Sequence, residues 1–153
     1  MKKIIISPYS QILSNGKKNA KDYPHWVRVI RLLKENSIHT IHITLNKDED
    51  IGADEIKVGL NFCELKKLLL ECDTFISGDN FFQHFATYNK KIGVCIFSKS
   101  DPSIFGYEQN INLLKDKKYL RSDQFGKWED CLYDADAFIE PEKVVNAIMS
   151  LLK

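Results

Sequence analysis

The 153-residue sequence has no excess of charge of either sign: 22 Lys plus Arg stand against 21 Asp plus Glu, a formal charge of +1. A broad polyanion-binding surface is not expected from that balance, and nucleic acid is not a partner that bulk electrostatics would attract. The four cysteines, Cys63, Cys72, Cys95 and Cys131, lie 9, 23 and 36 positions apart. No pair has the spacing of a zinc knuckle or a redox dithiol, so the expectation is reduced, mostly buried thiols and no metal site. No apolar run approaches the roughly 20 residues that span a bilayer. The basic-then-apolar start from Met1 to Pro8 holds only Ile4, Ile5 and Ile6 as an apolar core, short of the about 7 to 15 residues of an export signal. Together these absences lead to the expectation of a soluble, cytoplasmic protein with no transmembrane segment. Walker and Gly-x-Gly-x-x-Gly phosphate loops are missing as well, as are internal repeats and low-complexity tracts.

What is present is an ordinary globular composition, 44% hydrophobic and 28% charged, at a length that fits one domain over residues 1–153. Apolar runs of strand length alternate with segments of helical period, the pattern of an α/β fold with a mainly parallel sheet and crossover helices. Strands are expected at Lys3 to Ser7, Ile38 to Leu45, Ile56 to Val58, Thr74 to Ser77, Gly93 to Phe97 and near Leu113 and Leu114. Helices are expected from Pro24, placed at the first helical position, to Asn36, from Asn61 to Glu71, from Phe81 to Tyr88 and from Pro141 to Leu152. The apolar face of the first is read as Trp26, Val27, Ile30 and Leu33. Asn61 with Glu64 three residues later forms a capping-box signature. A charged connection covers 46–54, and 103–136 reads as mostly loop.

In an open parallel sheet, ligands bind beyond the carboxyl ends of the strands, where loops and helix N-termini converge. Three segments fall there. Pro8 to Lys21 combines Ser10 and other hydroxyls with a lysine cluster ahead of a helix, which suits a diphosphate and equally suits a solvated surface loop. Ser77-Gly78-Asp79-Asn80, continuing to His84, offers a glycine at a strand exit, a carboxylate that either caps the next helix or meets a ligand, and a histidine that either packs among Phe81, Phe82 and Phe85 or reaches a ligand. Ser98-Lys99-Ser100-Asp101-Pro102 follows a buried strand as a polar turn. The aromatics Phe81, Phe82, Phe105, Tyr107, Phe125 and Trp128 either stack on a base, a sugar or another chain, or complete a core under irregular loops. His39 and His42, three apart on a strand, face opposite sides and do not form a joint metal site.

Taken in this order, the segments resemble the nucleotide-sugar-binding C-terminal half of glycosyltransferase family 9, the heptosyltransferase-like enzymes of the two-domain GT-B fold. The resemblance is carried by Ser7-Pro8-Tyr9-Ser10, by Lys21-Asp22-Tyr23-Pro24, by Gly78-Asp79-Asn80-Phe81-Phe82-Gln83-His84-Phe85-Ala86 and by Phe97-Ser98-Lys99-Ser100-Asp101-Pro102. It covers about residues 3 to 107. It implies a three-layer Rossmann-like domain equivalent to one half of such an enzyme, a nucleotide sugar as substrate and no cofactor. It further implies donor binding by Ser10, Lys21, Ser77, Gly78, Asp79, Asn80, His84, Ser98 and Asp101. Asn80-Phe81 and Ser98 depart from the small residues typical of the family. The acceptor half is not part of the resemblance, so the implied function is donor binding with glycosyl transfer, alone, with a separate acceptor-binding chain or with a second copy. A non-catalytic nucleotide-binding or interaction module with the same fold is the alternative.

Overall fold

The computed structural model describes residues 1–46 and 50–153, so residues 47–49 of the charged connection expected at 46–54 lie outside the described residues. One six-stranded sheet organises the chain in the order β3-β2-β1-β4-β5-β6. The strands are β1 (Lys3–Ser7), β2 (His39–Thr44), β3 (Glu55–Val58), β4 (Thr74–Gly78), β5 (Val94–Phe97) and β6 (Ile111–Leu114). Every neighbouring pair is parallel. The helices are α1 (Trp26–Glu35), α2 (Phe62–Glu71), α3 (Phe81–Tyr88), the single turn α4 (Pro102–Phe105) and α5 (Pro141–Leu151).

The period of two along each strand sorts the core into two layers. Ile4, Ile6, Ile76, Val94 and Ile96 pack against Trp26, Val29, Ile30 and Leu33 of α1 and Val144, Val145 and Ile148 of α5. Ile5, Ile41, Phe75, Cys95 and Phe97 point the other way, onto Leu65 and Leu69 of α2 and Phe82 and Ala86 of α3. Strands β1 and β5, buried on both faces, carry the unbroken apolar runs Ile4 to Ile6 and Val94 to Phe97, whereas β3 and β6 at the edges are only partly covered. The result is the expected three-layer α/β architecture. The chain runs outward in one direction from β1 and in the other from β4, so the topological switch point lies between them, with Ser7 paired to Ser77 at its carboxyl end.

Local chemistry sets the helix ends. The Asn61 side chain accepts from the Glu64 N–H and the Glu64 carboxylate accepts from the Asn61 N–H, both at 2.9 Å, which closes the capping box of α2. Pro141 stands at the first turn of α5. The start of α1 differs from expectation: the helix begins at Trp26, after His25, and Pro24 lies in the preceding turn. Tyr23 and Trp26 are both core residues, with rings edge to face at 5.3 Å, and the Tyr23 hydroxyl donates to the Ile139 carbonyl at 2.8 Å. Docking both rings places the turn between them. It also makes Val29 the buried residue and leaves Val27 exposed. Asp101-Pro102 is likewise more than a turn: the Asp101 carboxylate accepts from the Ser103 N–H at 2.9 Å and opens α4. The four cysteines are free, but only Cys72 and Cys95 are buried; Cys63 is exposed and Cys131 half-buried. No helix among the described residues is long and apolar enough to cross a membrane.

Candidate functional site

A cleft of about 890 Å³ opens at the carboxyl end of the sheet, over the switch point. Its floor is the exit of β1 at Ser7. One wall is the loop from Tyr9 to Asp22, another the start of α3 at Asp79 to Phe81 with His84, and the far end is formed by Ile43 to Asn46, Lys57, Leu60 and Leu65. The lining combines lysines 17, 18, 21 and 57 and the hydroxyl of Ser10 with apolar side chains that include Ile43, Leu45, Leu60 and Leu65. That volume is within the range of small-molecule sites.

Asp79 is the hub of the polar lining, and its role differs from the capping read in the sequence. The cap of α3 is Asn80, whose Oδ1 accepts from the Phe82 N–H at 2.9 Å. Asp79 instead takes the Gln83 amide on Oδ1 at 2.8 Å and the Ser100 hydroxyl on Oδ2 at 2.7 Å. Lys21 stands 4.0 Å from Oδ2, with side-chain exposures of 17% for Lys21 and 10% for Asp79. Burial pulls the Lys21 ammonium below the usual lysine pKa, Asp79 and Asp22 oppose that shift, and Arg121 adds to it. The Trp128 ring lies 5.0 Å from the Lys21 ammonium and 3.5 Å from the Arg121 guanidinium. Lys21 is thus a nearly dry cation in a loose ion pair, positioned at the cleft by a carboxylate and an aromatic face.

Asn80 also spends its amide nitrogen on the fold, donating to the Ser7 carbonyl at 3.0 Å. The Ser10 N–H donates to Asp22 at 2.8 Å, and its hydroxyl reaches the Asp79 carbonyl at 3.3 Å. These bonds bring Ser10, Lys21, Asp79, Asn80 and His84 together around the start of α3. His84 lines the cleft with its Nδ1 hydrogen-bonded to the Tyr107 hydroxyl at 2.7 Å.

The other expected site residues stand outside the cleft lining. Ser77 is fully buried within β4, its hydroxyl 3.7 Å from Cys95 Sγ. A methyl group on Gly78 would meet only ordinary van der Waals neighbours, the closest at 3.6 Å, so the packing around it does not itself demand glycine. Ser98 donates to the Ala20 carbonyl at 3.1 Å and so fastens the lysine loop to the end of β5. Asp101 caps α4. Of the aromatics, Phe82 is core, Phe81 edges the cleft, Phe105 and Phe125 pack on each other, and Trp128 backs Lys21. Among the described residues, no group of three or more His, Cys, Asp or Glu is placed to hold a metal ion. Sequence reasoning missed Gln83 and Arg121, and placed Ser100 and Tyr107 only as a turn residue and a loop aromatic, not as partners of Asp79 and His84. Only Gln83 carried a local signal, an amide four residues beyond a carboxylate, the spacing of facing side chains on a helix.

No protein-family model matches this chain, and no curated protein sequence does. Solved structures do. ADP-heptose LPS heptosyltransferase II of E. coli superposes with a TM-score of 0.72 at 15% identity, over 99% of this chain and 46% of that one. A glycosyl transferase family 9 protein from Veillonella parvula gives 0.71 at 16%, again over 99% and 46%. E. coli heptosyltransferase WaaC with ADP gives 0.68 at 12%, over 96% and 43%. The chain spans about half the length of the structures it matches, 46% for the first two. At such identities the likeness is one of fold: this chain has the architecture of one half of a heptosyltransferase, the fold that its motifs resemble.

Proposed function

We propose that this chain is a donor-binding domain of glycosyltransferase type, which takes a nucleotide-activated sugar in the switch-point cleft. The observation that carries the reading is the convergence of Lys21, Ser10, His84 and the first turn of α3 at one end of an 890 Å³ cleft, in a fold shared with one half of the heptosyltransferases. A helix N-terminus and a poorly hydrated ammonium favour a diphosphate. The same groups stabilise the charge that develops on a departing nucleoside diphosphate, so no cofactor is needed for that part of the chemistry. WaaC is solved with ADP, which makes ADP the natural first probe here. The apolar side chains of Ile43, Leu45, Leu60 and Leu65 suit the nucleoside. Glycosyl transfer then takes place with a separate acceptor-binding chain or with a second copy.

Calorimetric titration with nucleoside diphosphates and their sugars tests this. The expected result is binding that weakens about tenfold or more in Lys21→Ala, the loss expected for a charge-assisted hydrogen bond. A folded protein that binds none of the panel removes the proposal. A second reading, nucleotide binding without transfer, is favoured by one observation: the carboxylates lining the cleft, Asp22 and Asp79, both accept hydrogen bonds from the protein itself. Donor hydrolysis or sugar transfer that disappears in Lys21→Ala decides for the enzyme; donor binding with neither decides for the module.

A further inference from the structure

His84 is held by a segment that is itself tightly built. Gly106, at the end of α4, has no room for a side chain, since a Cβ there would lie 2.6 Å from the Pro102 carbonyl oxygen. The next residue, Tyr107, has its carbonyl fixed by the Asn110 N–H at 3.1 Å and the Asn112 amide at 2.9 Å. From there the segment is fastened to α3 at two points. Asn110 Nδ2 donates to Thr87 Oγ1 at 3.0 Å, and the Tyr107 hydroxyl meets His84 Nδ1 at 2.7 Å. His84 and Thr87 are three residues apart on one face of the helix, so the two bonds act in register. The His84 and Tyr107 rings also meet edge to face, 5.5 Å between centroids.

The geometry points to Tyr107 as a positioning residue for His84, one that holds the imidazole as the Nε2–H tautomer and turns that N–H toward the cleft. This deepens, and rests on, the donor-binding reading. Tyr107 lies outside the cleft lining while His84 lies in it, so with Nδ1 engaged by Tyr107 the ring nitrogen left for a ligand is Nε2. A phenol is a better donor than an alcohol, and when it donates to Nδ1 the proton of a neutral imidazole resides on Nε2. The cleft then presents a neutral N–H donor along with the Lys21 cation, suited to a phosphoryl or sugar oxygen without protonation of the ring.

Two measurements test this. ¹⁵N NMR of the ligand-free protein at pH 8, above the ordinary histidine pKa of about 6.5, is expected to show Nε2 protonated and Nδ1 as a hydrogen-bonded acceptor. In Tyr107→Phe, which keeps the ring contact and removes the hydroxyl, the Nδ1 resonance moves to that of a free acceptor nitrogen. A proton on Nδ1, or a resonance that Tyr107→Phe leaves in place, overturns the assignment. The second measurement is a double-mutant cycle on ADP and pyrophosphate affinity. Tyr107→Phe is expected to weaken binding about fivefold in the wild-type background, the worth of one hydrogen bond, and to have no further effect once His84→Ala is present. Equal losses in both backgrounds, or none in either, refute a role through His84. If neither probe binds the wild-type protein, the donor-binding reading has failed, and the NMR result still decides whether Tyr107 sets the tautomer.

Discussion

Asp73 and Asp79 stand at opposite ends of β4, each with a lysine beside it, and the two pairs are built differently. At the amino end, Lys2 reaches Asp73 at 2.9 Å with both side chains well exposed, 56% and 32%, and the Lys3 N–H adds a second bond at 2.9 Å. At the carboxyl end, Lys21 stops 4.0 Å from Asp79, both nearly covered, and the carboxylate is held by Gln83 and Ser100 instead. The shorter pair contributes little despite its distance, since water and salt screen it and exposed pairs contribute about 0 to 1 kcal/mol. The longer pair has little water around it and leaves the cation incompletely matched.

The largest difference between the two is expected on deleting the carboxylates. Asp79→Ala removes the nearest counter-charge of the buried Lys21, leaving only Asp22, and deprives Gln83 and Ser100 of their acceptor, and is expected to cost about 3 kcal/mol in urea unfolding. Asp73→Ala is expected to cost at most about 1 kcal/mol and to lose that difference in high salt. Equal costs would erase the contrast. Next comes Lys21→Met. Burial, the larger influence on Lys21, already disfavours its charge, so the change is expected to stay within about 1 kcal/mol in stability while diphosphate affinity collapses. Loss of both together would make Lys21 a structural residue.

The smallest effects lie in the pH limbs. The Asp73 pKa is lowered, mainly by the Lys3 N–H and the Lys2 hydrogen bond. Its contribution is therefore present above the unfolded value of about 3.9 and fades as the pH falls through the folded one. The acid limb should flatten in Asp73→Asn. Lys21 has the opposite sign: its folded pKa lies below the unfolded value, so between the two the unfolded chain binds more protons and the Lys21 contribution to stability rises with pH. Burial pushes the Cys95 thiol up to about 12 and the Cys72 thiol up to about 11. Both favour the folded state below the ordinary thiol pKa and lose that advantage above it, each by at most about 1.4 kcal/mol per pH unit. The Lys21 contribution appears by comparing wild type with Lys21→Met as the pH falls from the ordinary lysine pKa of about 10.4; identical slopes would mean that its burial has no energetic consequence.

The same two ends differ in how far the sequence reveals them. β1, the capping box of α2 and the span of α3 were legible because their signals are local: runs of isoleucine, an Asn and a Glu three apart, a Gly78-Asp79-Asn80 break between a strand and a helix. The place of the cleft was legible too, since strand order in a parallel sheet sends strand exits to one side. The partners of Asp79 were not, apart from Gln83. Ser100 reaches it only because β5 lies beside β4, and Trp128 reaches Lys21 from a loop with no period. Competition between neighbours also misled: Asp79 and Asn80 are both good caps, and the pull of Ser100 and Gln83 on the carboxylate leaves the cap to the amide. Likewise, the start of α1 was set by two aromatic rings finding the same core, not by Pro24.

Asn80 has a mechanical consequence. Its one side chain grips the Ser7 carbonyl at 3.0 Å on the β1 side and the Phe82 N–H at 2.9 Å on the α3 side, so the floor of the cleft and its helical wall are clamped into one rigid jaw. The same amide also reaches the Tyr9 carbonyl at 3.4 Å, and Ser10 and Ala20 are bonded to Asp79 and Ser98, so the lysine-bearing loop is tied to the same frame and a ligand meets a pre-formed surface on both sides.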